Sequence, residues 1–154
     1  MDLRCNSLDR PGMELVLRAL PHCPKLAGLA LAENPLAMGA ADAISGALGA
    51  WLGELLLAVP KLEKLGLASC GLEDADVLEL AKRLRACNNL KILGLSGNAL
   101  SRAGVEALFA GIKREQGKPP HPLHTLVLTN AGQLEGGDAA HLRSAAPKGL
   151  TIKF

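Results

Sequence analysis

Three copies of one spaced leucine pattern limit the folds open to this chain more than any other feature. The pattern is Leu-x-x-Leu-x-Leu-x-x-Asn/Cys-x-Leu, where x is any residue, and it fits residues 26–36, 62–72 and 90–100. Residues 123–134 are a degenerate fourth copy with one extra residue before the last leucine, and residues 1–8 are an opening half-copy. Recurrence of a unit of this length is typical of proteins that stack similar supersecondary units to bury a continuous core.

The segments between the copies share a second apolar pattern. The residues eight and twelve positions after the last leucine of each copy are aliphatic. Because four residues make about one turn of a helix, each segment is predicted to be a helix with an inward apolar stripe, and Ser101 is placed to cap the fourth of them. The Leu-x-Leu alternation predicts a short strand in each copy. The stripe residues are Val16, Ile44, Leu80, Leu108 and Leu142 at eight, and Leu20, Leu48, Leu84, Ile112 and Ala146 at twelve.

These residues resemble the leucine-rich repeat family, and the blocks of 28 residues with full helices are most similar to its ribonuclease-inhibitor type. The resemblance implies an α/β solenoid of about five repeats. Its horseshoe-shaped arc has a parallel sheet on the concave side and helices on the convex side. The expected organisation is a single domain over residues 1–154. It consists of a half-repeat at 1–25, repeats that start near 26, 62, 90 and 123, and a closing strand at 150–154.

One polar position recurs in the pattern and is called the ladder position here. Asn6, Asn34 and Asn98 occupy it, and we expect their side-chain amides to satisfy backbone groups in the turn that leaves each strand. Cys70 occupies the same position, where a small buried side chain is expected.

The composition sets limits on the class of protein. Hydrophobic residues make up 49% of the chain, which excludes a disordered protein, and 17 basic against 15 acidic side chains give no reason to expect a nucleic-acid partner. The most apolar run, residues 36–59, contains Asp42 and Glu54. Since a charge at a bilayer centre costs roughly 2.5 kcal/mol or more, no membrane span is expected. The first residues also lack the apolar stretch of a signal peptide.

The cysteines are expected to be buried, reduced thiols. Cys23 and Cys87 lie two repeats apart, as do Cys5 and Cys70. With neighbouring strands about 4.8 Å apart, each pair would be separated by roughly 10 Å or more, beyond the ~7 Å Cα limit for a disulfide. This favours an intracellular, reducing compartment, most simply the cytoplasm.

No arrangement of residues in the sequence predicts catalysis, a cofactor or a metal ion. No nucleophile stands with a base and an orienting acid. His121 and His124 have a spacing that metal ligands can use, but no carboxylate or thiolate accompanies them. A protein without enzymatic activity is therefore expected.

The concave face of the expected sheet is one candidate binding surface. Side chains that alternate with the motif leucines face outward, and their central column consists largely of alanine and glycine. Glycine within a strand often marks a close approach by another backbone, so a helix or extended segment of a partner is expected in this trough. The alternative is that small residues only ease the curvature. The candidate residues are Ala30, Lys64, Gly66, Ile92, Gly94 and Val127.

Two insertions give a second candidate surface. The gap from the twelve-position residue to the next copy is six residues after Leu20 and Leu84, but fourteen after Leu48 and eleven after Ile112. The first insertion is expected to lengthen a helix and expose an apolar edge, although its tryptophan could instead fold onto the helix's own base. The second, the cationic segment Lys113–Lys118, is expected to be a solvated loop, and an acidic partner is its other interpretation. The predicted edge residues are Trp51, Leu52 and Leu55.

These features together predict a scaffold for protein–protein interaction that is a subunit of a larger intracellular assembly. The alternative is a regulatory leucine-rich repeat fragment of a larger protein, similar to an immune receptor or a GTPase activator. A genuine start at Met1 would favour the subunit, and nucleotide-binding motifs upstream would favour the fragment.

Overall fold

Each copy of the leucine pattern forms a short strand, and each segment after it forms a helix. A computed structural model describes residues 1–37, 46–113 and 120–154. In those ranges the strands are β1 (Gly28–Ala30), β2 (Lys64–Gly66), β3 (Ile92–Gly94), β4 (Thr125–Val127) and β5 (Thr151–Lys153). The helices are α1 (Arg10–Ala19), α2 (Ala47–Ala58), α3 (Asp74–Leu84), α4 (Arg102–Ile112) and α5 (Asp138–Ala145), and a short 3-10 helix, Leu20–His22, follows α1.

The five strands form one parallel sheet in sequence order, from β1 to β5. The α/β class and the parallel sheet are therefore confirmed. The central residue of every strand is aliphatic, buried and in register with its neighbours, and these residues form the sheet side of the core. They are Leu29, Leu65, Leu93, Leu126 and Ile152.

The side-chain amides at the ladder position satisfy backbone groups, as predicted, and those of Asn34 and Asn98 also bridge consecutive units of the chain. The side-chain oxygen of Asn98 accepts hydrogen bonds from the N–H groups of Cys70 (3.0 Å) and Leu72 (3.1 Å). Its Nδ2 donates to the carbonyl oxygens of Leu67 and Leu95, each at 2.8 Å. Because Asn98 is only 2% exposed, water does not compete for these groups.

Asn34 repeats this arrangement two units earlier. The two remaining ladder residues differ from it. The oxygen of Asn34 accepts from the N–H groups of Asn6 and Leu8, and Asn34 is 1% exposed. Cys70 is buried, as expected, and its thiol donates to the Leu31 carbonyl oxygen at 3.3 Å. Asn6 is exposed, and its amide donates to the Arg4 carbonyl oxygen within its own unit. The predicted bond to a backbone group is therefore present at Asn6, but unlike those of Asn34 and Asn98 this bond stays within one unit.

The residue directly before the ladder position has a left-handed backbone in every unit, a feature that the sequence did not reveal. The φ angles at these positions lie between 53° and 67°. Only one of the residues is glycine, so the turn is held in this conformation although most side chains disfavour it. The residues are Cys5, Glu33, Ser69, Gly97 and Asn130.

Helix starts in neighbouring units are tied together by carboxylates. The Ser101 hydroxyl accepts from the N–H of Ala103 at the start of α4, which confirms the predicted cap. Asp74, at the start of α3, accepts from the Ser101 N–H at 2.9 Å and from its hydroxyl. Asp76 accepts from the Gly49 N–H at 3.1 Å, which joins α3 to α2 in the same way.

Glycines bring α2, α3 and α4 into close contact. A Cβ atom on Gly49 would lie 1.7 Å from the carbonyl oxygen of Asp76 on α3. A Cβ on Gly111 of α4 would lie 2.6 Å from the carbonyl oxygen of Ala81. Neither site can hold a larger residue unless the helices move apart.

The first insertion was predicted to lengthen a helix and to expose Leu52 and Leu55 on an apolar edge, and this prediction is wrong. Leu52 and Leu55 are fully buried, so they belong to the core and do not form an exposed apolar edge. Leu56 is also buried and precedes Leu62 by six residues, the spacing found after Leu20 and Leu84. The extra residues of this unit therefore precede α2. The predicted stripe residue Ile44 lies outside the described residues.

The four cysteines have free thiols, as expected, but only two are buried. Burial raises the pKa of both the Cys70 and the Cys87 thiol to about 11. Cys23 is half-buried and Cys5 is exposed, so the expectation of burial is wrong for these two. A hydrogen bond from the Cys5 thiol to the Glu33 carboxylate raises the pKa of Cys5.

Candidate functional site

The face of the sheet opposite the buried leucines is the candidate site, and we call it the open face. It consists of two rows of side chains, one on each side of the buried central row, and none of these residues is buried. The six residues predicted from the sequence all lie in these rows, on adjacent strands. The outer row is Gly28, Lys64, Ile92, Thr125 and Thr151, and the inner row is Ala30, Gly66, Gly94, Val127 and Lys153.

The centre of the inner row is bare although the fold leaves room for side chains there. A Cβ atom on Gly66 would lie 3.7 Å from the Ala30 Cα, and one on Gly94 would lie 3.8 Å from the Gly66 Cα. Both distances are ordinary van der Waals contacts. Glycine in a strand costs about 0.5–1 kcal/mol relative to alanine, so the fold would be at least as stable with a side chain at either position.

Charged residues border the bare centre, and the sequence prediction missed two of them. Asp2 lies beside Ala30 at one end of the inner row, where hydrogen bonds from Arg4 lower its pKa to about 2. Lys153 is exposed at the other end. The closing strand and the half-copy at residues 1–8 signalled both positions, but only the register of the strands places them in one row. The open face therefore has a small, uncharged centre, with the Asp2–Arg4 ion pair at one end and Lys153 at the other.

Few residues of the two predicted insertion surfaces are both described and exposed. Trp51 is half-buried and packs against the core at its edge, so it is the one predicted edge residue with an accessible side chain. Its role in binding remains a prediction. Lys113 is exposed at the end of α4, and residues 114–119 of the predicted acidic-partner loop lie outside the described residues.

Three histidines form hydrogen bonds within the chain. Nδ1 of His121 accepts from the Leu123 N–H at 3.1 Å, so the proton of the neutral ring is on Nε2, which donates to the Leu84 carbonyl oxygen at 2.8 Å. His141 lies 2.9 Å from a Glu106 carboxylate oxygen, and His124 bonds the Thr125 hydroxyl. Across residues 1–37, 46–113 and 120–154, no group of three or more His, Cys, Asp or Glu side chains is arranged to hold a metal ion. In the same ranges, no helix is long and apolar enough to cross a membrane.

The His121 contacts predict that stability falls at mildly acidic pH. Burial lowers the pKa of His121 below its ordinary value, so the unfolded chain takes up the proton first as the pH falls below about 6.5. The stability that the neutral ring contributes is fully present above that pH and is lost as the pH falls toward the lower pKa of the folded state. Urea unfolding between pH 7.5 and 5 should show a flatter pH dependence in His121→Gln than in the wild type.

His22 provides the control for this measurement, because it is exposed on the 3-10 helix. His22→Gln should retain the wild-type pH dependence. An identical slope in His121→Gln and the wild type would contradict the assignment.

Comparison with known proteins shows a shared fold without a family assignment. No family model and no curated protein matches the chain. Among solved structures, 36 chains match, so the fold occurs repeatedly. One of them is leiomodin-1 actin-binding site 2, to which this chain is similar with a TM-score of 0.68 and 16% sequence identity, over 92% of this chain and 77% of that chain. At this identity the likeness establishes the fold alone.

Proposed function

We propose that the chain is a leucine-rich repeat module of the ribonuclease-inhibitor type that binds a protein partner on its open face. The three complete copies of the leucine pattern, the parallel sheet in sequence order and the buried asparagine ladder support this assignment. In this proposal the sheet lines the concave side of an arc and the helices cover its convex side.

The bare centre of the inner row is the observation on which the binding proposal rests. Gly66 and Gly94 are accommodated without any close contact that would require glycine. A smooth surface at these positions allows a partner's backbone to approach the sheet closely. With one Trp, two Phe and no Tyr in the chain, affinity comes from broad contact over this surface and little from aromatic anchors.

The function proposed is that of a non-enzymatic interaction subunit of an intracellular assembly. The similar solved structure is an actin-binding site by name, which supports a protein as the class of partner. The hydrogen bonds of His121, His124 and His141 serve the fold, which supports a role without catalysis. The free thiols of Cys70 and Cys87 support a reducing compartment.

Glutamine at positions 66 and 94 should abolish partner binding and leave the fold intact. The two side chains would project from the centre of the open face and hold a partner away, while their Cβ atoms make ordinary contacts. A tagged Gly66→Gln/Gly94→Gln chain should recover its partners from cell extract at least tenfold less than wild type, as measured by quantitative mass spectrometry. Purified actin is the first single protein to test by co-sedimentation.

Gly136→Gln is the matched control, because a Cβ at Gly136 meets nothing within 4 Å and the residue lies away from the sheet. It should recover the wild-type set of partners. Circular dichroism melting curves should be the same for all three proteins. If the double variant keeps its fold and recovers the same partners as the control, the open face is not the binding surface.

A further inference from the structure

Residues 131–154, which we call the α5 unit, pack less closely on the rest of the chain than α2, α3 and α4 pack on one another. The structure describes all of these residues, and three of them are buried: Ala131, Leu142 and Ile152. The helix α3 alone has five buried residues, namely Asp76, Val77, Leu80, Ala81 and Leu84. Segments with few buried apolar contacts are those that open locally in a folded protein.

Glycines show the same difference in packing. A Cβ atom on Gly104 of α4 would lie 2.1 Å from a carboxylate oxygen of Asp74 on α3, and Gly49 and Gly111 also lie against α3. A Cβ atom on any glycine of the α5 unit would meet nothing closer than 4.0 Å outside its chain neighbours. The close approach that joins α2, α3 and α4 is therefore not repeated at the glycines of this unit, which are Gly132, Gly136, Gly137 and Gly149.

The ladder is interrupted at the start of the α5 unit. Ala131 occupies the ladder position, so this position has no side-chain amide to bridge the unit to the one before it. The N–H of Leu72 donates to the amide oxygen of Asn98 in the following unit. The equivalent N–H of Leu100 instead donates to the backbone oxygen of Asn98, in its own unit, at 3.0 Å. A hydrogen bond from the Gly132 N–H to that backbone oxygen joins the two turns, but the side-chain bridge of Asn98 has no counterpart here.

Exposed ion pairs link α5 to α4. Nε2 of His141 lies 2.9 Å from a Glu106 carboxylate oxygen. The Arg102 guanidinium lies 3.6 Å from an Asp138 carboxylate oxygen. The side chains of His141, Glu106 and Arg102 are between 43% and 54% exposed. Because water and salt screen such charges, these pairs contribute little to stability and do not replace buried contacts.

We infer that the α5 unit opens as one segment from the folded protein while α2, α3 and α4 stay packed. In this opening β5 leaves β4, so the Thr151 N–H loses the His124 carbonyl oxygen as its acceptor. The Leu128 N–H likewise loses the Lys153 carbonyl oxygen. The open face then lacks Thr151 and Lys153, and the edge of β4 is left unpaired. Since an unpaired edge can accept a strand of another chain, the α5 unit controls access to the edge of β4.

Hydrogen exchange of the full chain in native buffer, followed amide by amide by NMR, measures this opening. It does not depend on whether the open face binds a partner. The amides of α5, Thr151 and Leu128 should share one protection factor, about tenfold or more below those of Leu67 and Leu95. The N–H groups of Leu67 and Leu95 bond between strands outside the α5 unit.

Leu128 separates opening of the whole unit from fraying of its helix. It lies outside the α5 unit, and its N–H is released only when β5 leaves β4. Protection at Leu128 equal to that at Leu67 and Leu95 would overturn the inference, because β5 would then stay paired.

Two matched substitutions test whether the α5 unit opens separately. Leu142 and Leu80 occupy the same stripe position of α5 and α3, and both are fully buried. Leu142→Ala should lower the protection of the α5 unit by about tenfold or more, because the opening exposes this side chain. Leu80→Ala should lower the protection of Leu67 and Leu95 but leave that of the α5 unit unchanged, because Leu80 stays buried in the opening.

An equal loss of protection in the α5 unit and at Leu67 and Leu95 in Leu80→Ala would overturn the inference, since the chain would then open only as a whole. If Leu80→Ala fails to fold in a circular dichroism melt, Val77→Ala decides the question. Val77 is a smaller residue of α3 that is also fully buried.

Discussion

Asn98→Ala should lower the free energy of unfolding by about 4 kcal/mol, because each buried polar group left without a partner costs roughly 1–3 kcal/mol. Alanine would leave the N–H groups of Cys70 and Leu72 without the oxygen that accepts from them. It would also remove the donor that the Leu67 and Leu95 carbonyl groups share. A loss of this size is a large part of the roughly 5–15 kcal/mol that stabilises an ordinary domain.

Urea unfolding followed by circular dichroism measures this effect, and Asn6→Ala is its matched control. Asn6 occupies the same position of the sequence pattern, but it is exposed and its side-chain amide donates to the Arg4 carbonyl oxygen within its own unit. Its replacement should change the unfolding free energy by less than about 0.5 kcal/mol. Equal losses in the two variants would mean that the ladder does not contribute through its buried hydrogen bonds.

Gly49→Ala should destabilise the protein by about 3 kcal/mol or more, since overpacking a tight contact forces the backbone to move. The added methyl group would lie 1.7 Å from the Asp76 carbonyl oxygen, so α2 and α3 must separate. That movement also stretches the hydrogen bond from the Gly49 N–H to the Asp76 carboxylate. The sign of this change in unfolding free energy distinguishes a crowded glycine from a free one, because alanine in place of an uncrowded helical glycine stabilises a protein by about 1 kcal/mol.

Gly66→Ala makes the same chemical change where space is available, and it should be neutral or slightly stabilising. Guanidinium chloride unfolding of both variants gives the comparison. A Gly49→Ala protein that is as stable as the wild type would show that α2 and α3 are not held at this distance.

The strands and the ladder could be predicted because single residue types at fixed spacing specify them. The start of α2 could not, since the apolar run from Leu48 to Leu57 allows more than one helical stripe. Only the spacing from Leu56 to the next strand selects the stripe that is buried. The left-handed residues before the ladder position were also missed, because Glu33 and Ser69 do not share a side chain that favours this backbone.

Some features of the candidate site can be predicted from the sequence, and others cannot. Alternation along each strand is enough to assign Gly66 and Gly94 to one face of the sheet. Whether those glycines are crowded or free depends on distances between strands, which no sequence pattern gives. The close approach of Gly111 to Ala81, which sets the distance between α3 and α4, likewise joins residues that no motif relates.

The asparagine ladder also sets the order in which the hydrogen bonds of two turns can form while the chain is synthesised. The N–H groups of Cys70 and Leu72 precede their acceptor, Asn98, by 28 and 26 residues. Because a chain leaves the ribosome from its N-terminus, the turn at residues 70–72 lacks its acceptor until residue 98 has emerged. The turn at residues 6–8 depends on Asn34 in the same way. These two turns are therefore each completed only by the unit that is translated after them.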